Sequence, residues 1–156
     1  MRIKVTLIVM ICLVSIMSIG QNTTGVRKKH FNLKKSGLAI EGYDPVAYFK
    51  NNKAMEGNKE FAVNHQGVTY YFSSGENKDA FIKNPEFYEP QYGGWCAYAM
   101  GKEGDKVSVD PETFKIINGK LYLFYNKFFN NTLTSWNKDE TNLKIAADKN
   151  WQKTFH

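Results

Sequence analysis

"VSVDPETFKIINGKLYLFY", residues 107–125, decides the fold class. Asn118-Gly119 sits between two apolar runs, and that pair is the strongest short-range hairpin signal, because both residues accept the left-handed backbone of a two-residue turn. Asp110-Pro111 makes a turn before the first run. Upstream, "KEFAVNHQGVTYYFSS" (59–74) repeats the design. Phe61, Val63 and His65 alternate with polar or small residues, Val68, Tyr70 and Phe72 alternate after them, and Gly67 supplies the turn. Two hairpins forming antiparallel sheet are therefore expected.

Short helices fill the intervals. Asp44 caps a turn that has Pro45 at its first position, where a missing N–H is harmless. Ser73 or Ser74 opens a helix, with Ser73 and Glu76 at capping-box spacing and Ala80, Phe81 and Ile82 as the buried side. Asn84-Pro85 stops it. "GGWCAYAMGKEGDK" (93–106) has a short helix in its middle, between glycines. Leu38 and Ile40 suit a short strand. From Asn126 onward the tail reads as helical, with Leu143, Ala146 and Ala147 on one face and Trp136 and Trp151 over the core. The 156 residues, 42% of them hydrophobic, suffice for one compact core. The expectation is a small single α+β domain spanning 37–156, with two β-hairpins and several short helices.

Residues 1–20 stand apart. Arg2 and Lys4 precede the uncharged run "VTLIVMICLVSIM", and Ser18 and Gly20 occupy small-residue positions. This is the layout of a secretory signal peptide cut between Gly20 and Gln21, and the apolar run is short for a membrane span. Export to the periplasm or beyond is expected, with no stable span after cleavage. Cys12 leaves with the leader, and Ile11 before it is not the small residue a lipobox needs. Cys96 is then alone and has no partner for an internal disulfide. Losing Arg2 and Lys4 from 21 basic residues leaves 19 against 15 acidic ones, a net charge of +4. The dense cluster "GVRKKHFNLKK" falls within 21–36, which reads as a basic, flexible, solvated arm. No basic helix or zinc-finger spacing points to nucleic acid.

The motifs "GYDPVAYF", "GVTYYFSS", "FIKNPEFYEPQYGGWCAYAM" and "VDPETFKIINGKLYLFYN" occur in this order. Through them the chain resembles YHS domain-containing proteins of the exported single-domain bacterial type, from about Leu38 to Trp151. The resemblance implies a small module often associated with metal handling, as in copper-transporting ATPases. Metal-associated members carry thiols at three positions, and thiolates suit Cu(I) or Zn(II). This chain has Ala47 and Ser73 at the first two and Asn77 at the third with one residue of offset, so those ligands are not inherited.

Three kinds of site remain open. The first is a soft-metal site for copper or zinc, built from Cys96, Met100 and His65. Cys96 and Met100 are spaced i, i+4, which places both sulfurs on one face of a helix. Met55, His30 and His156 are the other soft or borderline donors, and the duller reading is that Cys96 and Met100 pack the core. The second is a ligand pocket lined by Tyr92, Trp95 and Tyr98, although large rings also build cores. The third is a Cys96-dependent enzyme with His65 as base and Gly93-Gly94 opening a helix toward an anion. The leading expectation is an exported YHS-type module binding copper or zinc. The alternatives are a metal-free interaction domain for an unknown protein partner, and the Cys96 enzyme.

Overall fold

The computed structural model describes residues 23–155. The signal-peptide reading of 1–20 and His156 lie outside the described residues. The domain is a small α+β fold of short helices and antiparallel strand pairs. Helix α1 covers 23–30. Then follow α2 (Pro45–Asn51), β1 (Asn58–His65), β2 (Val68–Phe72), α3 (Gly75–Lys83), α4 (Pro85–Tyr88) and α5 (Ala97–Lys102). The chain continues with β3 (Asp110–Ile117), β4 (Lys120–Phe124), β5 (Asn126–Lys127), β6 (Asn130–Asn131), α6 (Thr132–Trp136) and α7 (Glu140–Gln152).

Both expected hairpins form. In β1–β2, His65 pairs with Val68 and Val63 with Tyr70; in β3–β4, Ile117 pairs with Lys120 and Phe114 with Leu123. The turn residues Gln66-Gly67 and Asn118-Gly119 all have positive φ. The hairpins stay separate two-stranded sheets and do not merge into one. A lone hairpin is marginal in water, so each depends on what packs against it. Strand β4 shows how. Leu121 and Leu123 enter one buried cluster, whereas Tyr122 and Phe124 enter a second with Trp136, Met100 and Ala147. Period-two geometry thus buries both faces of one strand between two cores, which explains why "KLYLF" is almost wholly apolar. Strand β2 buries only Val68, Tyr70 and Phe72, on one face. Helices α5 and α7 meet at Gly101, where a Cβ would stand 2.5 Å from the Leu143 carbonyl oxygen.

Four local expectations need correction. Leu38 and Ile40 form no strand; Leu38 makes one bridge to Thr69, and Ile40–Gly42 is a 3-10 turn. The cap of α3 is Ser74, whose Oγ accepts the Asn77 N–H at 3.2 Å, because Ser73 is drawn away to Asp44. The tail does not turn helical at Asn126. A third hairpin, β5–β6, intervenes, with Asn126 opposite Asn131.

The fourth concerns the basic arm. Its described part is a helix and a turn packed on the domain. Arg27 makes a two-pronged ion pair with Glu89 and lies over the Phe31 ring at 4.4 Å. Trp95 donates its indole N–H to the His30 carbonyl at 2.7 Å, and Asn32 bonds the Gly93 and Gly94 carbonyls. Glu89 is buried and also accepts from the Tyr70 hydroxyl at 2.7 Å. A buried carboxylate needs such partners, and one residue of the basic cluster provides the charge.

Candidate functional site

Two buried polar nodes stand out. The first is Asp44, fully buried at the start of α2. One carboxylate oxygen accepts the Val46 and Ala47 N–H groups at 2.8 and 3.3 Å, as an N-cap does. The other accepts from the Ser73 N–H (2.8 Å), the Ser73 hydroxyl (2.6 Å) and the Asn77 amide (2.7 Å). Ala47 and Ser73, and Asn77 with one residue of offset, are where the expected resemblance would place thiols. The fold gathers all three around one carboxylate, and each supplies it with an N–H or O–H donor. This set contains no soft donor and does not fit a thiolate-held copper or zinc ion.

The second node is Cys96, at the N-cap of α5 and fully buried. Its sulfur accepts the Tyr125 N–H at 3.3 Å and lies 3.4 Å from the Thr132 Oγ1. The Thr132 hydroxyl donates to the Tyr125 carbonyl at 2.8 Å. A hydroxyl has one proton, so toward the sulfur Thr132 Oγ1 can only accept. Cys96 is therefore the S–H donor, and a ring closes: Tyr125 N–H to sulfur, S–H to Thr132, and Thr132 O–H to the Tyr125 carbonyl. The ring ties the end of β4 to the start of α6.

A cavity of about 300 Å³ opens beside this ring. Tyr98, Ala99, Val107 and Tyr125 give it apolar walls, while Asn130 and Thr132 bring amide and hydroxyl groups. Lys102, Glu103 and Asp105 line it too, and Cys96 belongs to its wall without reaching bulk solvent. Close to the lining residue Asn130, the β5–β6 turn consists of Phe128 and Phe129. Both have positive φ, 52° and 64°, and they are 88% and 110% exposed. Bulky residues rarely adopt that backbone, so this turn is strained as well as apolar.

The sequence candidates scatter around this geometry. Cys96 packs in the first cluster and Met100 in the second. The i, i+4 argument fails because Cys96 is the cap, with non-helical φ −58° and ψ 117°, and only Met100 lies within the helix. His65 ends β1, with its ring edge-on to Phe81 at 6.0 Å. Among the described residues, no three His, Cys, Asp or Glu side chains converge in a metal-holding group. Of the proposed aromatic lining, only Tyr98 faces the cavity. Tyr92 packs on Tyr122 and Trp151 and donates its hydroxyl to Asp148 at 2.8 Å; burial and then that bond push its phenol above the usual range. Trp95 holds the N-terminal segment through His30. Gly93 and Gly94 accept from Asn32, and α5 has only six residues, so no anion site opens there. Sequence reading missed Tyr125, Asn130 and Thr132, whose ordinary residue types give no local signal.

No family model matches the chain, and no curated protein or solved structure matches it either.

Proposed function

We propose that the protein is an exported YHS-type binding module that takes a small, partly polar ligand in the cavity beside Cys96. The observation that carries this reading is the cavity itself. Apolar walls and a few convergent polar groups are what a small-molecule site needs, and about 300 Å³ lies at the lower end of such sites. Tyr98 and Tyr125 supply contact area, while Asn130 and Thr132 supply orientation. Export is proposed from the leader-like residues 1–20. Copper or zinc binding at Cys96 requires a thiolate, at the expense of the ring with Tyr125 and Thr132, so the reading favours a metal-free ligand. An enzyme needs a base on the thiol, and neither partner of the Cys96 sulfur is one.

A ligand-observed NMR screen of small fragments tests this. Wild-type protein is compared with Ala99→Trp, which fills the cavity. Fragments that bind wild type and lose at least tenfold in affinity to the variant are expected. A screen with no hits, or hits that ignore the substitution, removes the reading in favour of an interaction domain with an inert cysteine.

A further inference from the structure

A second cavity, of about 410 Å³, lies where α1 crosses the tip of the first hairpin. Lys28 and Phe31 come from α1, Leu33 to Gly37 from the following turn, and Asn64, Gly67 and Thr69 from the hairpin. Three lysines line it (Lys28, Lys34 and Lys35) and no carboxylate does. The geometry points to a binding site for a phosphate-type oxyanion, held by these three ammonium groups together with the polar atoms of Ser36, Asn64 and Thr69.

Several observations converge on this. The turn is a built wall rather than a loose loop. Gly37 donates its N–H to the Lys34 carbonyl at 2.8 Å, and Thr69 donates its N–H to the Gly37 carbonyl at 2.9 Å. Asn64 braces the hairpin tip, accepting the Gly67 N–H at 3.1 Å and donating to the Thr69 hydroxyl at 3.2 Å. Gly67, at φ 84°, lets α1 approach; a Cβ there would meet Lys28 Cε at 2.9 Å. The aliphatic stem of Lys28 thus lies over the turn. Among the described residues, neither Lys28 nor Lys35 has a carboxylate partner, and Lys34 has one, Glu41, at 3.0 Å. Three like charges against a single counter-charge leave a net positive field, which attracts anions. Lysine suits such a site because its ammonium is a mobile point charge that meets tetrahedral oxyanions from any direction.

The same chemistry arrives from two sources, a free phosphate compound or the headgroup of an anionic phospholipid. The full chain is titrated with inorganic phosphate and with glycerol phosphate, each followed by amide NMR. In parallel it is sedimented with vesicles of pure phosphatidylcholine and with vesicles containing one-third phosphatidylglycerol. Each arm is repeated with Lys28→Gln/Lys34→Gln/Lys35→Gln and with Glu41→Gln. The apolar leader is common to every variant, so only differences between variants are read. The expected result is saturable binding in one arm, weakened at least tenfold by the triple substitution and by salt. Glu41→Gln, which frees Lys34, should tighten it two- to fivefold. Shifts at Ser36, Asn64 and Thr69 with soluble phosphate mark the free-ligand source. Preference for the phosphatidylglycerol vesicles alone marks the lipid source. Equal behaviour of wild type and triple variant in all arms overturns the proposal, and so does an absence of binding to every probe.

Discussion

Asp44 and Cys96 are both fully buried polar groups at helix N-caps, yet their surroundings differ in kind. Asp44 accepts five hydrogen bonds from three segments of chain. Cys96 takes part in a minimal ring of two partners and borders a cavity. The first node spends all its capacity on holding α2, the end of β2 and α3 together. The second leaves room beside it. The thiol stands at the second node, and the first holds no soft donor. Structural load and candidate function are thus separated, with Asp44 as the fastener and the Cys96 cavity as the site.

This contrast sets the order of expected effects. Asp44→Ala strips the acceptor from five donors, and breaking such a buried charged network costs about 3–5 kcal/mol. Urea unfolding should show this loss, while a drop below about 1 kcal/mol would mean that Asp44 is no fastener. Arg27→Met leaves Glu89 buried with Tyr70 as its remaining partner, at about 2–3 kcal/mol. Limited proteolysis should then open 23–36 before the domain. Cys96→Ala leaves the Tyr125 N–H unpaired and should cost about 1–2 kcal/mol, with Cys96→Ser recovering part of it because a hydroxyl can close the same ring. In protein starting at Gln21, where Cys96 is the sole cysteine, Raman spectroscopy at neutral pH should show an S–H stretch lowered by hydrogen bonding. The smallest effect has the opposite sign. Phe128→Asn with Phe129→Gly relieves two left-handed phenylalanines and should raise stability by about 1 kcal/mol, with the urea midpoint as the readout.

The three hairpins show what sequence carries and what it does not. All three turn on a pair of positive-φ residues. Asn118-Gly119 and Gly67 announce themselves, because asparagine and glycine accept that backbone, whereas Gln66 gives no such signal. Phe128-Phe129 does not, since its residues oppose the turn and only the surrounding fold imposes it. The same division runs through the nodes. The Asp44 cap on Val46 is local and legible; its bond to Asn77 joins residues 33 positions apart and is not. Cys96 meets Tyr125 and Thr132 across 29 and 36 positions, and no motif links such ordinary residues. The basic segment misleads for a related reason. Its composition describes a solvated arm, but Arg27 finds the buried Glu89 62 positions away, and one long-range ion pair outweighs the local polarity.

The most direct test of the division between fastener and site is an amide NMR map of the protein with the tightest fragment bound. The expected result is a compact set of shifts at Tyr98, Ala99, Tyr125, Asn130 and Thr132, with Ala47, Ser73 and Asn77 unmoved. Shifts centred on Ser73 and Asn77, with the Cys96 cavity silent, would contradict the assignment.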